Sequence, residues 1–185
     1  MRSPLSSPVG ILLAAPLLLL APGMVRSAET VLGATNAQRC YEYALTGTSS
    51  RMAIDVCTDA IADETLDQDD LAATYCNRGL LQMRSKRHER ALADFDRALR
   101  IDPALVHALI NRGNLHMRTK HFERALEDYD SAIFYSQGRS ALAFYNRSLL
   151  HERAGRMTEA REDLLRAIQL QPESREYREA LATLE

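Results

Sequence analysis

Three asparagines and three arginines recur in this chain at spacings that place them on one helical face. Asn77, Asn111 and Asn146 are separated by 34 and 35 residues, and Arg84, Arg118 and Arg153 each follow one of them by seven. At 100° per residue, steps of four, three and four residues stay within a narrow stripe of a helix. The stripe reads Ala73, Asn77, Leu80 and Arg84, then His107, Asn111, Asn114 and Arg118, then Leu142, Asn146, Leu149 and Arg153. A carboxamide presents a donor beside an acceptor, the complement of a peptide bond. A guanidinium matches a carboxylate. Rows of the two suit an extended peptide, with an acidic or C-terminal segment at the arginine level. Two plainer roles compete: asparagine bonding to a neighbouring helix, and arginine complementing the dipole at a solvated helix end.

Other chemistries find no support. His88, His107, His116, His121 and His151 lack the i, i+4 spacing with a carboxylate or thiolate that a zinc site needs, and they read as surface residues. There is no nucleophile elbow, phosphate-cradling glycine loop or paired-carboxylate motif, so no metal, cofactor or enzymatic activity is expected. The 23 Lys and Arg against 25 Asp and Glu argue against nucleic acid as a partner.

The elements that must carry these residues repeat. Asn77-Arg78-Gly79, Asn111-Arg112-Gly113 and Asn146-Arg147-Ser148 each open the same downstream pattern. Twelve residues after the third letter stands Ala91, Ala125 or Ala160. Then come Phe95, Tyr129 or Leu164, and Ala98, Ala132 or Ala167; Pro103 and Pro172 close two copies. A period of this length means stacked units that bury their apolar faces against one another. The units run over 72–105, 106–140 and 141–174, each two helices around a polar break such as Ser85-Lys86-Arg87-His88. Arg78, Arg112 and Arg147 recur with Asp94, Asp128 and Asp163 and read as a structural ion pair between those two helices.

In combination these residues resemble the tetratricopeptide repeat: glycine and alanine twelve apart, Ala-x-x-x-Phe, a small residue, then proline. The resemblance covers 72–174, with departures at Ser148, at Leu164 and at the proline missing near Gln137. It implies an all-α fold, a right-handed superhelical stack of antiparallel helix hairpins. It also implies that the first helix of each hairpin lines a concave groove. On that basis the peptide-binding residues are Asn77, Asn111, Asn146, Arg84, Arg118, Arg153, Leu80, Asn114 and Leu149, flanked by Ile110 and Tyr145. A degenerate hairpin at 34–67 places Ala53, Cys57 and Ala60 in phase with the later units, and a capping helix at 173–185 turns Leu181 and Leu184 toward the array.

Cys40 and Cys57 are equidistant from the turn at Thr48 and Ser49, and Cys57 and Cys76 are equidistant from one near Leu66 and Asp67. The repeat pattern favours Cys40–Cys57, because both then face the seam inside the hairpin while Cys76 faces the groove. A disulfide fits the start of the chain. Val9 to Leu20 is almost wholly apolar after a single cation, and Val25-Arg26-Ser27 suits a signal peptidase. The expectation is a signal peptide at 1–27, export to the periplasm, and a mature domain at 28–185 with no membrane span. Without Arg2 and Arg26 the balance becomes 21 cations against 25 carboxylates, net −4. The function expected is a non-enzymatic adaptor of the cell envelope that binds a protein or peptide in its groove. The alternatives are an accessory subunit that positions an envelope enzyme, and a structural protein that self-assembles into homo-oligomers through its terminal helix.

Overall fold

The computed structural model describes residues 35–63 and 65–184, all within one compact unit. The signal-peptide segment lies outside them. Nine α-helices make up the described residues: α1 (Asn36–Thr46), α2 (Arg51–Asp63), α3 (Gln68–Arg84), α4 (His88–Ile101), α5 (Val106–Arg118), α6 (Phe122–Tyr135), α7 (Ala141–Arg153), α8 (Met157–Leu170) and α9 (Arg175–Thr183). The first eight pair as adjacent hairpins and the ninth packs on α8. Side chains start several of them. Thr35 accepts from the Gln38 amide, Asp67 from Asp70, Ser140 from Ala143 and Ser174 from Tyr177, each satisfying a donor the helix cannot. The hairpin turns pass through positive φ at Lys86, Lys120 and Gly155, which reverses the chain at the end of the first helix.

The last three hairpins each close at one small residue. A Cβ on Gly79 would stand 2.7 Å from the Phe95 ring, and one on Gly113 would stand 2.6 Å from the Tyr129 ring. Both approaches are too close for any side chain there. In the third unit the pair becomes Ser148 and Leu164, both buried. The two departures from the repeat pattern therefore compensate: a smaller partner makes room for a hydroxymethyl group, whose Oγ donates to the Tyr145 carbonyl at 2.6 Å.

The recurrent arginine fastens three helices rather than two. Arg112 Nε and Nη2 donate to Asp128 on α6, and Nη1 donates to Asp96 on α4 at 2.7 Å. Arg147 likewise holds Asp163 on α8 and Asp130 on α6, each at 2.7 Å through a terminal nitrogen. One guanidinium thus closes its own hairpin and ties it to the previous one. The planar fork of five donors permits this.

Hairpin one is closed by other means. Cys40 and Cys57 form a disulfide with their Cα atoms 4.9 Å apart, and Cys40 holds the repeat position where the other hairpins carry the arginine.

His107 and His121 are exposed, as expected of surface residues, but two other histidines depart from that expectation. His116 and His151 are turned inward, 3.9 Å from Asp128 and 3.7 Å from Asp163. They share a repeat position with Gln82, whose Nε2 donates to Asp94. The polar face of the first helix thus packs toward the second at this height. Burial, the largest influence, lowers the pKa of both histidines against the opposing pull of the aspartates.

Candidate binding groove

The first helices of neighbouring hairpins touch in series, α1 with α3, α3 with α5 and α5 with α7. A cleft of about 420 Å³ opens where the first three meet. Asn77, Leu80 and Arg84 reach it from α3, and Asn111 from α5. The structure adds Tyr41 and Leu45 from α1, which the degenerate pattern of that hairpin concealed. Both are large and exposed, at 55% and 69%. Their signal in the sequence was a tyrosine and a leucine four apart on one helical face.

Two of the cleft's polar groups are already engaged. Arg84 Nη1 donates to the Ala44 carbonyl at 2.6 Å, serving the C-terminal turn of α1. Asn111 Nδ2 points at Cys76 Sγ, 3.7 Å away. Burial pushes the Cys76 thiol up to about 11, with the Asn111 amide pulling the other way. The thiol is therefore protonated at neutral pH and acts as an apolar neighbour. What remains accessible is an apolar floor and wall with the Asn77 carboxamide and the exposed His107 ring at its side.

The other expected groove residues are dispersed. Asn114 Oδ1 accepts from the Tyr129 hydroxyl at 2.7 Å and so belongs to the hairpin core. Ile110 is 2% exposed and packs among Leu109, Ala132 and Ala143. Tyr145 is covered by Tyr177 of α9, the ring centroids 4.8 Å apart. Burial, with Glu176 beside it, pushes the Tyr145 phenol up to about 12. Leu149 is half-buried and Arg118 is exposed. Arg153 stands over the Phe122 ring, 5.8 Å from its centroid, beside a separate pocket of about 300 Å³. Asn146 is 8% exposed, and its Nδ2 has no hydrogen-bond partner. The three arginines accordingly have three different environments. Among the described residues no group of histidine, cysteine, aspartate and glutamate could hold a metal, and no helix is long and apolar enough to cross a membrane.

Two family models match the chain, both described as tetratricopeptide repeat, one over residues 72–105 and one over 110–175. The chain has a tetratricopeptide-repeat fold. Solved structures agree. The second tetratricopeptide domain of human RPAP3, determined in complex with an HSP70 peptide, is 23% identical with a TM-score of 0.58, covering 64% of this chain and 98% of that one. MamA from Desulfovibrio magneticus is 19% identical with a TM-score of 0.62, covering 82% and 84%. A tetratricopeptide repeat protein from Parabacteroides merdae is 23% identical with a TM-score of 0.66, covering 81% of this chain and 57% of the other. No curated protein matches the chain. At these identities the likeness is one of fold, and the occupant of this tetratricopeptide groove has to be read from its own side chains.

Proposed function

We propose that the protein is a non-enzymatic binding module that holds an extended segment of a partner protein in the groove lined by α1, α3 and α5. The observation that carries this reading is the cleft's composition. Tyr41 and Leu45 stand exposed over an apolar recess reaching Leu80, and the Asn77 carboxamide is placed to bond a peptide group. Exposed apolar area concentrated in a concavity is what a docking side chain buries. The cleft favours an apolar anchor residue over a carboxylate, because its one guanidinium, Arg84, already serves the α1 carbonyl. RPAP3 takes its HSP70 peptide with the same fold, which supports a peptide as occupant while leaving its sequence open to this groove's own chemistry.

We further propose that the module works in the cell envelope after export, with cleavage between Ser27 and Ala28. The disulfide supports this, since such bonds persist in oxidising compartments. Two measurements test the proposal. Intact mass of the protein from its native host should start at Ala28. A photo-crosslinking residue at Leu45 should capture a partner from an envelope extract, while one at Leu165 on α8 should not. Replacing the exposed Tyr41 by Asp should abolish that capture and leave the melting curve in place. Equal capture from both positions would remove the groove from the proposal.

A further inference from the structure

The arginine fastening has one incomplete member. Arg112 and Arg147 each receive a second carboxylate from the preceding hairpin, through Asp96 and Asp130. Arg78 holds Asp94 through Nε and Nη2 in the same way, but its Nη1 finds only the Thr58 hydroxyl, at 3.2 Å. Thr58 occupies in α2 the repeat position that aspartate occupies in α4 and α6. A third carboxylate is thus absent from the place where the chain supplies one twice.

The surroundings change with it. A cleft of about 640 Å³ lies here between α2 and α4, with Arg78 and Thr58 at its base. Arg51, Arg87, Arg90 and Arg97 also line it, so five arginines face two aspartates, Asp55 and Asp94. The equivalent cleft one repeat later has two arginines, Arg112 and Arg124, against the three carboxylates of Asp96, Glu127 and Asp128. The sign of the local charge reverses between neighbouring copies of one structural position, on a chain whose overall charge is −2. A stability role alone does not account for this. Clustered cations repel one another, and the second cleft shows that the fold does not need them.

We propose that the cleft between α2 and α4 is a second binding site, taking an acidic peptide segment whose carboxylate completes the Arg78 fastening. The ligand chemistry is read from the chain's own template: the position that Asp96 and Asp130 fill for Arg112 and Arg147 is filled for Arg78 by a partner's aspartate or glutamate. Arg90 and Arg97, exposed on α4, would meet the neighbouring acidic residues. A guanidinium already gripped on one edge by Asp94 is held in orientation, so little freedom is lost when its other edge is taken. The group that fills this place in the two later copies is a carboxylate, which favours an acidic peptide over nucleic acid. This site is separate from the groove of α1, α3 and α5 and does not rest on that reading.

The test uses the full chain and a fluorescein-labelled hexapeptide of alternating aspartate and glutamate with blocked termini. The peptide should bind at low salt and weaken steeply as salt rises. T58D supplies the absent carboxylate from within. It should leave the melting temperature unchanged or higher and weaken the peptide at least about tenfold, the scale of one lost charge-assisted hydrogen bond. The double charge reversal R90E/R97E, on the exposed face of α4, should do the same without unfolding the protein. A photo-crosslinker at Ala93 should label the peptide, and one at Leu45 should not. Unchanged binding by T58D or by R90E/R97E would overturn the proposal, as would labelling from Leu45. Displacement of the peptide by inorganic phosphate at the peptide's own concentration would also overturn it, since the cleft would then be a small-anion site.

Discussion

The first hairpin and the middle repeats solve one mechanical problem with different chemistry. Between α5 and α6 the fastening is Arg112, gripping Asp128 in its own hairpin and Asp96 in the one before. Between α1 and α2 it is the Cys40–Cys57 bond at the equivalent height. The guanidinium reaches outward and so couples hairpins. The disulfide links two helices and couples nothing beyond them. A stack held by nearest-neighbour interfaces depends on the first kind of tie for its cooperativity. A terminal hairpin, with a neighbour on one side only, gains more from a bond that restricts its own unfolded chain. The array is therefore expected to respond to charge and pH in its middle and to reductant at its start.

The largest effect should come from breaking the middle fastening. Asp128→Ala leaves Arg112 and His116 inside the hairpin seam without their shared carboxylate, and removing one partner of a buried pair costs roughly 3–4 kcal/mol. Urea unfolding should show that loss as one shifted transition, because the arginine joins hairpins. A second, separate transition would mean that the repeats unfold independently and that the outward arm to Asp96 couples little.

Reducing the disulfide should cost about 3 kcal/mol for a loop of this size, but locally. Hydrogen exchange after reduction should speed up in α1 and α2 and stay slow in α5 to α8. Equal acceleration throughout would make the first hairpin as strongly coupled as the rest and erase the contrast drawn above.

The smallest effect concerns pH. His116 and His151 have folded pKa values below the unfolded value, chiefly through burial. Asp128, Arg112, Arg124 and His121 act on the first; Asp163, Arg156, Arg147 and Glu159 act on the second. A lowered histidine pKa means that the unfolded chain binds the proton more readily. Stability is then full above about pH 6.5 and falls as the pH drops toward the folded values. Replacing both by glutamine, which Gln82 shows is accepted at this position, should flatten the pH 7 to 5 part of the stability curve. An unchanged slope would assign the acid response to other groups.

Much of this was legible in the sequence for one reason: a repeat fixes each residue's place within its unit. The helices, the Arg–Asp pair inside each of the last three hairpins and the choice of Cys40 over Cys76 as the partner of Cys57 all follow from position along one period. The Asp94-Phe95-Asp96 and Asp128-Tyr129-Asp130 triplets even carried a sign of the outward arm. Among the three full repeats, the second aspartate appears where an arginine-bearing repeat follows and gives way to Leu165 where none does.

Relations between units needed the tertiary structure. Arg84, Arg118 and Arg153 share a repeat position, yet each meets a different neighbour: the Ala44 carbonyl, solvent and the Phe122 ring. Tyr145 lies under Tyr177 because α9 happens to follow it. A one-dimensional period determines which face of a helix a side chain takes. It cannot say what the next hairpin, turned and displaced by the stacking, brings against that face, because the contacting atoms come from segments whose sequences need not repeat. The fold and its internal fastenings were thus written in the spacing, while the groove's accessible chemistry was decided by packing between units.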